Sequence, residues 1–218
     1  MSVYEAKWDR FRGRRVLVLG MGRSGIAACG LLATVAEVHA WDAKPLPNLS
    51  DDARNLVERG EVDFVAEVSE ALLNKVDLVV RSPGVPWDAP VVAAARDLGL
   101  ELIGELELAY RLSPSDRIIA VTGSNGKSTT TAWIGEILRC AGADVRVAGN
   151  IGLALGAVIA TISPDTFVVC EVSSFQLEDV VEFRPRVGVL LNLAPDHLDR
   201  HGDVACYYRL KWLSLIHI

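Results

Sequence analysis

The chain has 218 residues, of which 50% are hydrophobic and 23% are charged, and its formal net charge is −6. This balance is typical of a soluble globular protein, and the length suffices for one large domain or two ordinary ones. The negative charge, without any basic stretch to offset it, argues against nonspecific binding to nucleic acid or to a membrane surface. An uncharged run over 149–164 is too short to cross a bilayer.

The start of the chain, MSVYEAKWDRFRGRR, scatters charges and has no apolar core of a signal peptide. The four cysteines lie far apart, with no C-x-x-C pair: Cys29, Cys140, Cys170 and Cys206. Each has apolar or helical surroundings in the sequence, so we expect buried free thiols. A cytoplasmic protein is the resulting expectation.

Apolar runs alternate with helical segments through the first half of the chain. The stretches 14–20, 37–42 and 77–84 predict strands, and the stretches 24–35 and 90–100 predict helices. This alternation of strand and helix predicts a parallel, doubly wound sheet.

The stretch GMGRSG, residues 20–25, joins the first predicted strand to the first predicted helix and satisfies G-x-G-x-x-G. In this pattern Gly20 permits the tight turn, Gly22 lets a ligand approach the backbone, and Gly25 lets the helix pack closely on the strand. Asp42 ends the next strand, where an acid that binds a ribose would suit NAD. The pattern fits NAD, a nucleotide sugar, or a tight turn with no ligand.

A second turn, RSPGVP at 81–86, follows the strand at 77–84. Pro83 and Pro86 favour an extended, rigid loop, and Gly84 permits a close approach to the backbone. An ordinary turn explains this stretch equally well.

The pattern breaks at RLSPSDR, residues 111–117, which predicts a linker. A second α/β series follows, with a predicted strand at 118–123 and a predicted helix at 128–142 that ends at Gly142. Three more strands are predicted at 144–150, 166–172 and 186–193.

The stretch GSNGKST, residues 123–129, has the form of a phosphate-binding loop between a strand and a helix. The strict pattern G-x-x-x-x-G-K-[ST] would place its first glycine at Val121, so this loop is shortened. Backbone N–H groups of such a loop hold phosphates, Lys127 can reach the β- and γ-phosphates, and the Ser128 hydroxyl can bind Mg²⁺.

Polar residues follow the other strands of the second series: Asn150, Glu171, and the pair Asp196 and His197. Ligands bind at the carboxyl ends of the strands in open α/β sheets. Glu171 suits Mg²⁺, although a solvated acid at a strand end looks the same, and Glu178 is expected to be a surface charge. A zinc site is one interpretation of Asp196, His197, Asp199 and His201, but a hard metal ion or a phosphate fits these residues better. For Asp199 and His201, a structural role fits as well.

Together these motifs resemble the Mur ligases, ATP-dependent amide-forming enzymes of peptidoglycan synthesis. The family's shortened loop, G-[TS]-[NH]-G-K-[ST], matches GSNGKST. The resemblance extends to GMGRSG, SPGVP, GNIG (149–152), EVSSFQLE (171–178) and NLAPDHLDRH (192–201). It reaches to about Lys211, and it is strongest to the members that add D-glutamate to UDP-N-acetylmuramoyl-L-alanine.

The resemblance implies an α/β fold with an N-terminal Rossmann-like parallel-sheet domain and a truncated P-loop α/β ATPase domain. Residues 1–112 would bind the UDP substrate, residues 113–218 would form part of the central ATP-binding domain, and the family's C-terminal domain would be absent. WLSLIHI, residues 212–218, departs from the family and suggests either a foreign tail or a divergent final strand. We therefore expect an inactive fragment of the ligase.

The resemblance also assigns site residues. Those for the ATP phosphates are Gly123, Ser124, Asn125, Gly126, Lys127, Ser128 and Thr129. Those for the UDP substrate are Gly22, Arg23, Ser24, Ala43, Lys44 and Gly84, with Asn150 for its muramoyl part. The implied Mg²⁺ ligands are Ser128, Glu171 and His197, and the implied catalytic residues are Lys127, His197 and Lys211, the last matching a lysine that becomes carbamoylated.

The implied reaction has two steps. The alanine carboxylate attacks the γ-phosphate of ATP to give an acyl phosphate, and the amine of D-glutamate then displaces phosphate from its carbonyl. The expected setting is a monomer in the bacterial cytoplasm with ATP and Mg²⁺, without nucleic acid and without insertion in a membrane. Two alternatives stay open: an NAD-dependent oxidoreductase, which leaves GSNGKST and Glu171 unexplained, and a nucleotide-binding module without catalysis.

Overall fold

The computed structural model describes residues 3–216. The polypeptide divides into two compact units, one ending at Leu112 and the other beginning at Ser113. Each unit is an α/β structure built on its own parallel sheet. The predicted α/β class with parallel sheets is therefore confirmed.

The first unit contains a five-stranded parallel sheet in the order β3-β2-β1-β4-β5. Its strands are β1 (Arg15–Leu19), β2 (Glu37–Trp41), β3 (Asp63–Phe64), β4 (Leu78–Arg81) and β5 (Leu102–Gly104). Its helices are α1 (Val3–Asp9), α2 (Arg23–Leu32), α3 (Asp51–Glu58), α4 (Glu70–Leu73), α5 (Pro90–Asp97) and α6 (Glu105–Leu112), with a short 3-10 helix at Leu46–Asn48.

The central strands of this sheet are apolar because both of their faces are covered. Residues 16–19 of β1 and 78–81 of β4 are all buried. The chain runs from β1 to β2 on one side and returns on the other side at β4. The strand order thus reverses between β1 and β4, which is where open α/β sheets bind their ligands.

The second unit contains a four-stranded parallel sheet in the order β7-β8-β6-β9. Its strands are β6 (Ile118–Thr122), β7 (Val145–Gly149), β8 (Phe167–Glu171) and β9 (Val187–Leu190). Its helices are α7 (Lys127–Cys140), α8 (Leu155–Ile159), α9 (Ser174–Leu177), α10 (Leu198–His201) and α11 (Val204–Ile216).

The register of the second sheet brings its strand ends to one edge. Glu171, the last residue of β8, pairs with Val121 on one side and with Gly149 on the other. Thr122, the last residue of β6, pairs with Leu190, the last residue of β9. Polar residues that follow these strands are therefore gathered at one edge, as the sequence predicts.

The expected burial is wrong for two of the four cysteines. Cys29 and Cys170 are buried, but Cys140 is exposed and Cys206 is partly exposed. Cys140 ends α7 on a side that the sheet does not cover, beside the exposed Trp133 and Ile137. Helical apolar context alone therefore does not predict burial.

The stretch WLSLIHI does not form a final strand in its described part, because α11 continues to Ile216. The last two residues of that stretch lie outside the described residues. Across residues 3–216, the structure has no helix that is both long and apolar enough to span a membrane.

Candidate functional site

The phosphate loop of the second unit lies between β6 and α7, a helix of 14 residues that begins at Lys127. Gly123 and Gly126 have φ angles of 146° and 83°, which disfavour a residue with a Cβ. A Cβ at Gly123 would also lie 3.1 Å from the Cβ of Leu191. The first turn of α7 directs free N–H groups and the positive end of the helix dipole toward the loop, which suits an anion.

The loop is held in place by the segment that follows β9. The Ser124 hydroxyl donates to the carbonyl of Ala194 at 2.8 Å and accepts from the N–H of the same residue at 2.9 Å. Asn192 pairs with the backbone of Asn125, its Oδ1 accepting at 2.9 Å and its Nδ2 donating at 3.0 Å. These two side chains fix the loop and leave its other backbone N–H groups for the predicted phosphate contacts.

Lys127 is the cation of the loop. Its Nζ donates to the carbonyl of Ser124 at 2.8 Å, which holds the ammonium against the loop. Ser128 and Thr129, which follow it, are exposed. The hydroxyls of Ser128 and Thr129 are therefore accessible to a ligand, whereas the Ser124 hydroxyl is already hydrogen-bonded to the backbone of Ala194.

Glu171 ends β8 as a buried carboxylate, 2% exposed. Its Oε1 accepts a hydrogen bond from Asn150 Nδ2 at 3.0 Å. Its Oε2 is buried and has no hydrogen-bond partner among the described residues. A buried carboxylate oxygen without a partner is costly, and a divalent cation would satisfy it. The Glu171 side chain therefore fits the predicted role of a Mg²⁺ ligand.

Lys211 reaches the same region from α11 and is 2% exposed. Its Nζ donates to the carbonyl of Gly123 at 2.9 Å and lies 4.8 Å from the centre of the Tyr207 ring. Burial, then repulsion by Lys127, lowers the pKa of Lys211 from 10.5 to about 8, although Asp196 and Glu171 oppose the shift. A neutral amine is therefore accessible at Lys211 near physiological pH.

His197 and Asp196 stand at the start of α10. His197 has a φ of 51°, a strained value for a residue other than glycine, and it caps the helix. Its ring lies 4.9 Å from that of Phe175, and its side chain is 51% exposed. Its Nε2 lies 3.5 Å from the carboxylate of Asp196.

A small cavity of about 100 Å³ gathers many of these side chains. It is lined by Lys127, Asn150, Ser173, Ser174, Phe175, Asp196, His197, Tyr207 and Lys211. The structure thus brings together all three predicted catalytic residues.

Of the predicted metal ligands, His197 lines this cavity, whereas Ser128 and Glu171 are not among its lining residues. Among the described residues, no group of three or more His, Cys, Asp or Glu side chains is placed to hold a metal ion. This leaves the zinc alternative without a set of ligands. A Mg²⁺ site that includes Glu171 is compatible with this arrangement, because Mg²⁺ in proteins commonly keeps several waters and binds one or two carboxylates together with substrate phosphates.

The first unit has its own cavity, of about 530 Å³, at the carboxyl ends of β1 and β4. Five of the residues predicted to contact the UDP substrate line it: Gly22, Arg23, Ser24, Ala43 and Gly84. The sixth, Lys44, lines two neighbouring cavities of about 410 and 380 Å³.

The three glycines of GMGRSG have the geometry that the sequence predicts for each. Gly20 has a φ of 88°, as a tight turn requires, and Gly22 has open space around its Cα. A Cβ at Gly25 would lie 1.8 Å from the carbonyl oxygen of Gly20. α2 can therefore pack this closely on the turn only with glycine at 25.

Asp42, which an NAD site would use for a ribose, supports the protein backbone instead. Its Oδ2 accepts from the N–H of Met21 at 2.7 Å, and its Oδ1 accepts from the N–H of Lys44 at 2.9 Å. These bonds tie the end of β2 to the glycine turn. The position of Asp42, which supported the NAD alternative beside GMGRSG, thus has a structural explanation.

The sequence reasoning missed several contributors. Ser173, Ser174 and Tyr207 line the small cavity, and Asn192 fixes the phosphate loop. Glu178 is not a surface charge, because its side chain is only 12% exposed and is paired with Arg200 at 3.0 Å. For Ser173 and Ser174, a signal existed in the sequence, because this pair of hydroxyls follows the strand ending at Glu171 after one intervening residue, Val172.

Two family models match the chain. One, described as the Mur ligase MurD-like N-terminal domain, matches residues 14–104, and the other, described as the Mur ligase middle domain, matches residues 121–215. The boundary between them falls in the same region as the boundary between the two compact units.

Curated relatives share the same description. A UDP-N-acetylmuramoylalanine–D-glutamate ligase of Caldanaerobacter subterraneus subsp. tengcongensis is 44% identical over 199 residues, which are 91% of this chain and 44% of the relative. One of the same description from Koribacter versatilis is 43% identical over 201 residues, 92% of this chain and 44% of the relative. The chain therefore spans less than half the length of these relatives.

Solved structures share the fold at lower identity. A UDP-N-acetylmuramate:L-alanyl-gamma-D-glutamyl-meso-diaminopimelate ligase from Neisseria meningitides has a TM-score of 0.62 and 22% identity, over 94% of this chain and 68% of that one. A UDP-N-acetylmuramate-alanine ligase from Thermotoga maritima has a TM-score of 0.55 and 21% identity, over 93% of this chain and 46% of that one. At these identities the likeness shows the fold alone.

Proposed function

The chain belongs to the Mur ligase family, and on that premise we propose that its site serves the ATP-dependent joining of D-glutamate to UDP-N-acetylmuramoyl-L-alanine. One observation carries the proposal: Lys127 of the phosphate loop, Asn150 and Lys211 line one small cavity at the carboxyl ends of the second sheet. The Lys127 ammonium, the Asn150 amide and the Lys211 amine would then surround the point where the two anionic substrates must meet. The curated relatives of the same description support the choice of substrates.

The first unit is proposed to hold the UDP part of the substrate. Its larger cavity has the volume that small-molecule sites usually have. Gly22 and Ser24 stand where α2 begins, so the diphosphate would meet backbone N–H groups and the positive end of a helix dipole. Arg23 adds a cation at the same place, and Lys44 extends the contact surface toward the neighbouring cavities.

The second unit is proposed to hold ATP and Mg²⁺. The loop from Gly123 to Thr129 would bind the phosphates, with Lys127 turning from the carbonyl of Ser124 toward them. The unpartnered Oε2 of Glu171 would bind Mg²⁺, with the Ser128 hydroxyl and the His197 ring as further proposed ligands. When bound, Mg²⁺ would neutralise charge on the transferring phosphoryl group.

The chemical task is to bring the alanine carboxylate of the substrate against the γ-phosphate of ATP. Lys127 offsets the repulsion between these anions, and Asn150 orients the substrate near the phosphate loop. Attack by the carboxylate oxygen on the γ-phosphorus breaks the bond to the β,γ-bridging oxygen, so an acyl phosphate forms and ADP leaves. The amine of D-glutamate then attacks its carbonyl, the N–C bond forms, and phosphate leaves.

Lys211 is proposed to become carbamoylated. Its pKa of about 8 leaves a fraction of the amine uncharged at neutral pH, and only an uncharged amine adds to CO₂. The carbamate would exchange a cation for an anion beside Lys127 and would help to position Mg²⁺. Incubation with ¹³C-bicarbonate should give a carbamate resonance by NMR that is absent from Lys211→Arg.

The proposed setting is the bacterial cytoplasm, where a monomer acts on these small molecules without nucleic acid and without insertion in a membrane. The geometry of the glycine turn suits NAD as well as a UDP substrate, so the choice of the UDP substrate is supported by the curated relatives. The support that Asp42 would give to NAD is weakened, because each of its carboxylate oxygens already accepts a backbone hydrogen bond.

Isothermal titration calorimetry tests the proposal on the 218-residue chain. We expect saturable binding of UDP-N-acetylmuramoyl-L-alanine that Arg23→Ala weakens, and saturable binding of Mg-ATP that Arg23→Ala leaves unchanged. NADH should show no saturable binding. Binding of NADH in preference to the UDP substrate would contradict the proposal.

Turnover is measured separately, by phosphate release with ATP, UDP-N-acetylmuramoyl-L-alanine and D-glutamate. The chain covers 44% of its relative's length, and we expect the 218 residues alone to bind substrates without sustained turnover. Robust turnover by these residues would overturn that expectation while supporting the assigned reaction.

A further inference from the structure

A serine, a histidine and a glutamate form a chain of contacts at the small cavity of the second unit. The Ser174 hydroxyl lies 2.9 Å from His201 Nε2, within hydrogen-bond distance. His201 Nδ1 lies 3.6 Å from Oε1 of Glu178. The other oxygen of Glu178 accepts a hydrogen bond from Arg200 at 3.0 Å. Ser174 therefore connects the cavity to a buried imidazole that faces a carboxylate.

The His201 ring is fixed in position by its neighbours. It stacks on Phe175 with ring centres 5.1 Å apart, and it lies 5.5 Å from the ring of Tyr207. The residue is 8% exposed, and Ser174 is 2% exposed. A 180° turn of the ring would put carbon atoms in place of both nitrogens and lose both polar contacts, so the contacts favour Nε2 directed at Ser174 and Nδ1 at Glu178.

The two polar neighbours of the His201 ring favour one position for the proton of the neutral ring. The carboxylate facing Nδ1 favours the proton on that nitrogen. Nε2 is then an acceptor, and Ser174 donates its hydroxyl proton to it.

We propose that Ser174 and His201, oriented by Glu178, form a proton relay that removes the proton from the amine attacking in the small cavity. The inference rests on the proposed function, because amide formation requires the attacking nitrogen to lose a proton. Ser174 lines the cavity beside Asn150 and Lys211, where that amine would arrive. His201 and Glu178 act through Ser174 and are positioning residues.

The transfer is balanced at each atom. As the N–C bond forms, the amine proton passes to Ser174 Oγ, and the hydroxyl proton of Ser174 passes to His201 Nε2. The C–O bond to phosphate breaks, and phosphate leaves with the electron pair. Glu178 stabilises the resulting imidazolium, which later returns its proton to solvent through the serine.

The first test is the protonation pattern of His201 in the 218-residue chain. Long-range ¹H–¹⁵N NMR should show Nδ1 protonated and Nε2 free at neutral pH, with the resonances assigned from their loss in His201→Gln. Ser174→Ala should shift the Nε2 resonance, and Ser174→Thr, which keeps a hydroxyl, should largely restore it. A proton on Nε2 in the wild type would overturn the relay.

The second test separates the two halves of the reaction in the ligase at the full length of its relatives. Hydroxylamine traps the acyl phosphate, so hydroxamate formation reports the first half, and amide formation with D-glutamate reports both. In His201→Gln we expect hydroxamate formation within about twofold of wild type and amide formation reduced about 10²-fold or more. Glutamine can keep the hydrogen bond to Ser174 but cannot take its proton, so a structural role would be preserved in this variant.

The outcomes separate the two proposals. Equal rates of amide formation in wild type and His201→Gln would refute the relay while leaving the ligase reaction intact. Absence of ATP-dependent hydroxamate from the wild type would refute the proposed function, and the NMR measurement would still decide whether Nε2 can accept a proton.

Discussion

The ammonium of Lys211 on α11 donates a 2.9 Å hydrogen bond to the carbonyl of Gly123, the first residue of the phosphate loop. Two residues 88 positions apart thus share one contact at the centre of the second unit. The same helix contributes Tyr207, whose hydroxyl lies 2.9 Å from that of Ser124. The loop is therefore shaped by a helix far along the chain as well as by its own glycines.

The buried ammonium of Lys211 should make stability depend on pH. Its pKa falls from 10.5 to about 8 in the fold, so between these values the unfolded chain binds a proton that the folded chain does not. The free energy of unfolding should rise with pH across this window, while below it the cost of burying the charge is fully present.

Urea denaturation at several pH values through the window measures this rise. We expect Lys211→Met to flatten it. Lys75→Met, at an exposed position, is the matched control and should leave it as in the wild type. An unchanged slope in Lys211→Met would show that the ammonium is not desolvated as the structure indicates.

The hydroxyl of Ser124 should be needed for stability more than for binding. It makes hydrogen bonds with both backbone groups of Ala194 and with Tyr207. Ser124→Ala would leave the buried Tyr207 hydroxyl and the partly buried backbone groups of Ala194 short of a partner, and we expect a loss of about 1–3 kcal/mol in the free energy of unfolding. Ser128→Ala, at an exposed position in the first turn of α7, should change it by less than about 0.5 kcal/mol. Chemical denaturation of both variants decides whether the two serines differ in this way.

Two glycines of the first unit should respond in opposite ways to alanine. Gly25→Ala places a Cβ 1.8 Å from the carbonyl oxygen of Gly20, and we expect a loss of about 3 kcal/mol or more. Gly22→Ala meets nothing within 4 Å, and its φ of −78° suits any residue, so stability should hardly change. Because Gly22 lines the larger cavity, its substitution should instead weaken binding of the UDP substrate. Thermal denaturation and calorimetry separate the two effects.

Lys127 should govern binding of ATP. Its ammonium is the cation at the start of α7, and removing it leaves the phosphates without a charged partner. We expect Lys127→Ala to weaken ATP at least about 10-fold, which corresponds to about 1.4 kcal/mol, and to leave affinity for the UDP substrate unchanged. Calorimetric titration of each ligand gives both numbers. Equal ATP affinity in wild type and variant would remove the phosphate loop from the proposed site.

The sequence predicts the strands and the phosphate loop well because their signals are local. The apolar run before Gly123 and the glycines of the loop depend only on neighbouring residues, and β6 and α7 form where they are predicted. The convergence of Asn150 and Glu171 also follows, since parallel strands place their carboxyl ends at one edge. The 3.0 Å contact between these side chains is the structural result.

The features that the sequence does not predict depend on distant partners. Ser124 looks like a phosphate ligand within its motif, but its hydroxyl is taken by a residue 70 positions away. Glu178 looks like a surface charge until α10 brings Arg200 and His201 against it. α9 and α10 have four residues each, too few for helical periodicity to show.

Asn192 and Lys211 form hydrogen bonds with the phosphate loop but come much later in the chain, so during translation the loop is made before the residues that stabilise it. A ribosome makes the loop first and the residues that secure it much later, while domains generally fold as units when their chain has emerged. A nascent chain that has reached only the end of α7 therefore displays the nucleotide motif without its supports. Competence to bind ATP should arise late in translation, after Lys211 has emerged, whereas the glycine turn of the first unit has all its supporting residues by Leu112.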